Sequence, residues 1–182
     1  MDSAWTLMTI GHSNRPFEEL LEMLKAHEVD FLVDVRTIPR SRHNPQFNRE
    51  ALPEPLALAG IEYLHMPGLG GLRHARQDSR NTGWKNLSFR GYADYMQTAE
   101  FERNLEELLR LANGRRAAVM CAESVPWRCH RSLIADALTA RGLNVRHIMS
   151  AARADPHRLT SFAQVVSERV TYPPIEPDLF PH

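Results

Sequence analysis

Two cysteines stand eight positions apart in the segment CAESVPWRCHRS, residues 121–132, and they are the chain's only two. A thiol acts as a nucleophile or metal ligand when it is a thiolate, and cations and helix N-termini favour that state. Cys129 precedes the amphipathic stretch 130–142, which places it at a helix start beside Arg128, His130 and Arg131. Cys121 closes the apolar run 117–123, and Glu123 follows as a candidate general base or partner for Arg131. Three uses fit these residues. Cys121 or Cys129 is a nucleophile, or the two form a redox pair, with His12, Glu123 or His130 as acid or base. Alternatively the cysteines and a histidine hold a metal, although the spacing is not the CxxC of a zinc ribbon. In the third use both are small buried packing residues.

Three other clusters carry polar groups at the ends of apolar runs. Gly11-His12-Ser13-Asn14 lies between a predicted strand and a predicted helix, where free N–H groups and the helix dipole attract anions. It is neither GxGxxG nor a P-loop. Asp34 and Arg36 alternate along a predicted strand and share a face, as an ion pair or with Arg36 as an anion clamp; Ser41 follows past Pro39. Gly68, Gly70 and Gly71 allow a backbone to approach a ligand closely, with Arg73 beside them. Tyr92 and Trp127 are the aromatic candidates for stacking on a ring or base.

The elements that must position these groups follow from periodicity. Apolar runs at 6–12, 31–39, 61–67, 117–123 and 144–149 predict five strands. Several are continuous enough to be covered on both faces. Between them, helical patterns fall at 15–29, 49–60, 92–114 and 130–142, with Asn14 as the expected cap of the first. Strand–helix alternation implies parallel strands joined by crossovers. The expected fold is a single three-layer, Rossmann-like α/β domain at 1–149 with about five mostly parallel strands. Residues 68–91 form an irregular insertion. Residues 150–182 form a tail packed on the domain, with a helix at 160–169 and an extended proline-rich end. In such sheets ligands bind beyond the carboxyl ends of the strands. All four polar clusters belong there, which is the main argument for a site.

Composition bounds the function. The chain has 182 residues, 43% of them hydrophobic, and 22 basic residues balance 22 acidic ones. That suits one domain with a real core and argues against disorder or a basic nucleic-acid coat protein. No apolar run approaches the ~20 residues of a membrane helix. The N-terminus has no secretory pattern, so a soluble cytoplasmic protein is expected. Twenty of the 22 bases are arginine, and residues 34–90 carry net +4 against −4 over 1–33. Arginine is the better bidentate partner for phosphate and carboxylate.

The chain resembles the uncharacterised domain-of-unknown-function family 488. The strings that carry the likeness are TIGHS (9–13), LVDVR with Pro39 and Ser41 (32–41), GI-Y and LGGLR (60–73), GYADYM (91–96), and MCAE with CHR (120–131). They run in family order. The resemblance implies a compact α/β domain and no established reaction. Its characteristic positions fall on Gly11, His12, Ser13, Asp34, Arg36, Gly70, Gly71, Arg73, Cys121, Glu123, Cys129, His130 and Arg131. A looser likeness to rhodanese-type sulfurtransferases and cysteine phosphatases lacks their cradle: Trp127 stands six residues after Cys121 and Arg128 seven, where those enzymes need arginine at five or six.

The functional expectation is an enzyme acting on an anionic small molecule or nucleotide. Gly11, Ser13, Asp34, Arg36, Ser41, Gly70, Gly71, Arg73, Tyr92, Trp127 and Arg131 are its binding candidates, with no metal assigned and the cofactor unknown. The alternatives are a module that binds a nucleotide or single-stranded nucleic acid without catalysis, and a Cys/His metal-binding protein.

Overall fold

Side chains alternate in direction along each strand, and that alternation builds two cores. The computed structural model describes residues 5–176. Strand β1 (Thr6–Gly11) sends Leu7 to one face and Met8 and Ile10 to the other. Strand β2 (Phe31–Asp34) divides Phe31 and Val33 from Leu32, and β4 (Ala117–Cys121) divides Ala117, Val119 and Cys121 from Ala118 and Met120. Helices α1 (Phe17–Ala26) and α2 (Pro53–Leu58) cover one face with Leu20, Leu24 and Leu56. Helices α3 (Leu87–Met96), α4 (Ala99–Ala112) and α5 (Arg131–Ala140) cover the other with Tyr92, Phe101, Leu105 and Leu133. Each fully buried Leu or Phe of this kind contributes roughly 2 kcal/mol.

With β3 (Glu62–His65), β5 (Asn144–Ser150) and β6 (Arg153–Pro156), the sheet order is β3-β2-β4-β1-β5-β6. Every pair is parallel except β5 with β6. This is the three-layer, Rossmann-like layout that strand–helix alternation predicts, with one antiparallel edge strand added. The order switches at β4 and β1, whose crossovers leave in opposite directions.

Four local expectations change. The helix expected over 92–114 is two helices, because Thr98 caps α4 by accepting a bond from the Phe101 N–H. The insertion at 68–91 ends early, where Asn86 caps α3 in the same way through Ser88 and Phe89. Asn14 does not cap α1; Pro16 holds that position without a side-chain bond. The segment 160–169 is no helix. It contributes to the hairpin of β7 (Gln164–Val166) and β8 (Arg169–Thr171). Ser167 and Glu168 form its two-residue turn, both at positive φ (50° and 66°). That geometry matches strand twist but usually calls for Asn or Gly, so the sequence carries little signal for it. The extended proline-rich end is described only as far as Glu176.

One carboxylate fastens the residues after β6 to the domain. Asp136 of α5 is fully buried and accepts bonds from His157 Nε2 (2.8 Å), the Thr160 N–H (3.0 Å), the Thr160 hydroxyl (2.7 Å) and the Tyr172 hydroxyl (2.7 Å). A carboxylate only accepts, so His157 carries its proton on Nε2. Its Nδ1 then accepts from His147 Nε2 (2.8 Å), and His147 Nδ1 accepts from the Thr9 hydroxyl (2.6 Å). The chain of bonds ends at Arg131 Nη1, 3.4 Å from the Thr9 oxygen. Asp136→Asn breaks this network at its anionic end. It should lower the unfolding free energy by about 2–4 kcal/mol in urea titrations, with 157–172 becoming the first segment exposed to protease.

Candidate functional site

The loops after β1, β2, β3 and β4 meet beyond the carboxyl ends of their strands. The switch point itself is closed: the His12 N–H donates to the Cys121 carbonyl (3.0 Å) and the Ser13 N–H to the Ala122 carbonyl (2.9 Å). These are the donors that the reading of this turn as an anion site required to be free. Gly11 makes the closure feasible, since a Cβ there would lie 1.7 Å from the Glu123 carbonyl oxygen. The opening lies instead over β2 and β4. It is a cavity of about 520 Å³ lined by Arg36, Gly71, Phe89, Cys121, Arg128 and Cys129, among others. Thr37 and Ser88 also line it, and neither carried a sequence signal.

Both cysteines are free thiols, and both are buried. Cys121 ends β4, and Cys129 follows a 3-10 turn at Pro126–Arg128 and precedes α5. The Cys121 S–H donates to the Glu123 carbonyl at 3.6 Å, and Cys129 Sγ accepts from the Arg131 N–H at 3.5 Å. Burial alone would push the Cys121 thiol up. Cys129, the Arg131 guanidinium and the main chain at Glu123 outweigh that and hold it below the ordinary thiol range. Cys129 moves well up, pushed by the neighbouring Cys121 and by its own burial.

His130 stands against Cys129 with its tautomer set by the main chain. Its Nε2 lies 3.1 Å from the Val35 carbonyl, which only accepts, so Nε2 carries the proton. Its Nδ1 lone pair then faces Cys129 Sγ at 3.5 Å. Burial, helped by the charges of Arg131 and Arg73, lowers its pKa to about 4, so the ring is neutral at neutral pH. Tyr92, fully buried, packs its ring 5.0 Å from that of His130 and bonds the Leu69 carbonyl. Gly71 leaves room on the other side, since a Cβ there would lie 2.5 Å from His130 Nδ1.

Arg36 is held rather than loose. Asp34 binds it at Nε (2.9 Å) and Nη2 (2.6 Å), the Phe47 carbonyl at Nη2 (2.7 Å), and His12 Nε2 at Nη1 (3.1 Å). Of its five N–H groups, one on Nη1 is left for the cavity. Asp34 is further fixed by the Tyr63 hydroxyl at 2.5 Å. His12 donates from Nδ1 to the Ser13 carbonyl (2.7 Å) and stacks on Phe47 (4.4 Å), so both ring nitrogens have partners. Burial lowers its pKa to about 4. His12 therefore positions Arg36 and has no lone pair free for a proton transfer.

The other sequence candidates are placed as follows. Arg131 is fully buried and donates to the carbonyls of Glu123 (3.1 Å) and Ser124 (2.9 Å), beneath the cysteines. Glu123 lines the cavity with an exposed side chain. Arg73 lies over the Tyr95 ring (3.6 Å) and bonds the Gly70 carbonyl (3.2 Å), outside the cavity. Gly70 packs on Thr37. The Ser41 hydroxyl accepts from the His43 and Asn44 N–H groups and serves its own turn. The Ser13 hydroxyl faces Asn14. Trp127, 66% exposed, lines a separate cavity of about 640 Å³ with Trp84 and His147. Pro126–Arg128 is thus a partition, with Trp127 on one side and Arg128 on the other. Among the described residues, no group of three or more His, Cys, Asp and Glu is placed to hold a metal ion, and no helix is long and apolar enough to cross a membrane.

A family model described as a domain of unknown function, DUF488, matches residues 16–138. No curated protein matches the chain, and neither does any solved structure.

Three histidines make acid costly to the fold. His12 and His130 fall from 6.5 to about 4 and His147 to about 3, each chiefly by burial. The unfolded chain binds these protons near pH 6.5 and the native chain does not, so stability rises with pH across this interval. Unfolding should take up as many as three protons between pH 4 and 6.5, and the urea midpoint should drop steadily as pH falls through that window. A second prediction concerns Gly71→Ala. It should displace His130 from Val35, costing about 1–3 kcal/mol of stability by overpacking and shifting the pH dependence of thiol labelling.

Proposed function

We propose that this chain, which belongs to the DUF488 family, is an enzyme acting on an anionic small molecule through its cysteine pair. The observation that carries this reading is the meeting of two free thiols, a neutral histidine and arginines around one cavity. A volume of about 520 Å³ suits a small metabolite or a nucleotide. Arg36 presents a fixed N–H from a guanidinium locked by four bonds. Arg128 stands exposed on the rim, and among the described residues no carboxylate pairs with it. A substrate anion held between them has its reactive end beside Cys121.

The roles follow from the charges. Cys121 supplies the attacking thiolate, and His130 Nδ1, which faces Cys129 Sγ, is the adjacent proton acceptor. Asp34 and His12 act through Arg36 and are positioning residues.

Paired alkylating agents test this. Iodoacetate is an anion and iodoacetamide is its neutral counterpart. In the native protein, one thiol should react below the pH at which free cysteine does, and Cys121→Ser should abolish that reaction. The iodoacetate-to-iodoacetamide rate ratio should exceed that of free cysteine by about tenfold at low salt and fall as salt is added. Two thiols inert until the protein unfolds, or a ratio no higher than that of free cysteine, would overturn the reading.

A further inference from the structure

The reading of the cavity as a thiol site leaves open which electrophile the thiolate attacks, and the main chain around the sulfurs narrows it. Attack on a carbonyl or phosphoryl group builds charge on oxygen, which an enzyme must meet with inward-facing N–H donors. Of the main-chain donors nearby, the His12 and Ser13 N–H groups bond the Cys121 and Ala122 carbonyls, and those of Arg128 and Cys129 close the 3-10 turn onto Val125 and Pro126. The Arg131 N–H points to Cys129 Sγ at 3.5 Å. Exchange at sulfur builds charge only on sulfur. This site is furnished for that: a guanidinium beside Cys121, and the first-turn N–H of α5 and the His130 Nδ1 beside Cys129.

We propose that Cys121 and Cys129 form a dithiol–disulfide couple whose substrate is a low-molecular-weight disulfide bearing carboxylates. This rests on the reading of the cavity as an anion-binding thiol site. In the first step the Cys121 thiolate attacks one sulfur of the substrate R–S–S–R. A Cys121–S–S–R bond forms, the substrate S–S bond breaks, and one RS⁻ leaves. In the second step Cys129 gives its proton to His130 Nδ1, and the Cys129 thiolate attacks Cys121 Sγ. The Cys121–Cys129 bond forms and the second RS⁻ leaves, taking the proton from His130 while the first takes one from solvent. Two electrons pass from the protein to the substrate, which becomes two RSH.

The loop between the cysteines is built to keep them paired during that exchange. Arg131 Nη2 bonds the carbonyls of Glu123 and Ser124 and so anchors the middle of the segment to the start of α5. Cys129 has extended backbone (φ −137°, ψ 148°). Only a short ring of chain separates the two sulfurs, so the entropy cost of closing it is small.

The test uses the reduced full-length chain, freed of reductant, with glutathione disulfide as the anionic probe and 2-hydroxyethyl disulfide as the neutral one. Mass spectrometry of acid-quenched samples should show an internal Cys121–Cys129 disulfide, with two thiols released per chain and no lasting adduct. Dithiothreitol should reverse it. Cys129→Ser should halt at one mixed disulfide on Cys121, and Cys129→Ala should do the same. Glutathione disulfide should react about tenfold faster than its neutral counterpart, relative to a free thiol. An unmodified Cys121, or a wild-type chain that ends as a mixed disulfide with no internal bond, would overturn the couple. If Cys121 is alkylated with anion preference yet no internal disulfide forms, the couple fails and the anion-binding enzyme stands. If the internal disulfide forms equally fast with both probes, the couple stands as a redox pair while its anionic substrate class and the anion-binding reading fail.

Discussion

A guanidinium with no carboxylate against it sits at the centre of this molecule. Arg131 is the largest fully buried side chain, and among the described residues it makes no ion pair. Burying a charge is costly unless something answers it. Arg131 is answered by two main-chain carbonyls and the Thr9 hydroxyl, while its buried Nε has no hydrogen-bond partner among the described residues. The same cation ties down the loop between the cysteines and lowers the pKa of Cys121. The arginine that the sequence suggests as a substrate clamp serves as an internal counterion.

From that residue a line of bonds runs across the sheet with one direction throughout. Arg131 donates to Thr9, Thr9 to His147, His147 to His157, and His157 to Asp136. A cation at one end and a carboxylate at the other leave each histidine a single tautomer. Reversing one link would leave two donors or two acceptors facing each other. The packing of the last described strands on α5 and the electrostatics of the cysteine site therefore share one network. The burial that makes His147 hard to protonate, down to about 3, keeps the network in this orientation.

Much of this placement is legible in the residues alone, and the losses have physical causes. The five parallel strands and their crossovers follow from apolar periodicity, because burial on both faces leaves continuous hydrophobic runs. Convergence of the four loops follows from that topology. Hydrogen-bond capacity does not follow, because it depends on which partner arrives first. His12 has the composition of an acid–base residue, yet Arg36 and the Ser13 carbonyl occupy both its nitrogens. The GHSN turn has the sequence of an anion site, yet the Cys121 and Ala122 carbonyls take its His12 and Ser13 N–H groups. Trp127 and Arg128 are neighbours in sequence and line different cavities, because a 3-10 turn rotates successive side chains by about a third of a turn. The chain from Thr9 to Asp136 joins residues more than a hundred positions apart, and no local pattern marks it.

What remains for chemistry after this accounting is narrow. His12, Asp34, Ser41 and Tyr92 direct their polar atoms to protein partners, and Arg73 and Arg131 bond main-chain carbonyls, with the buried Arg131 Nε left unpartnered among the described residues. The groups facing the cavity with capacity left are one N–H of Arg36, the Arg128 guanidinium, the Glu123 carboxylate and the two sulfurs. The sulfurs are the strongest nucleophiles among them, and the cations stand where an incoming anion would meet them. A site that fixes most of its nitrogens leaves two sulfurs on the wall of one cavity. The neutral His130, with a lone pair beside Cys129, gives the Cys129 proton a place to go. Cys129 can therefore lose its proton to a group inside the site rather than to solvent.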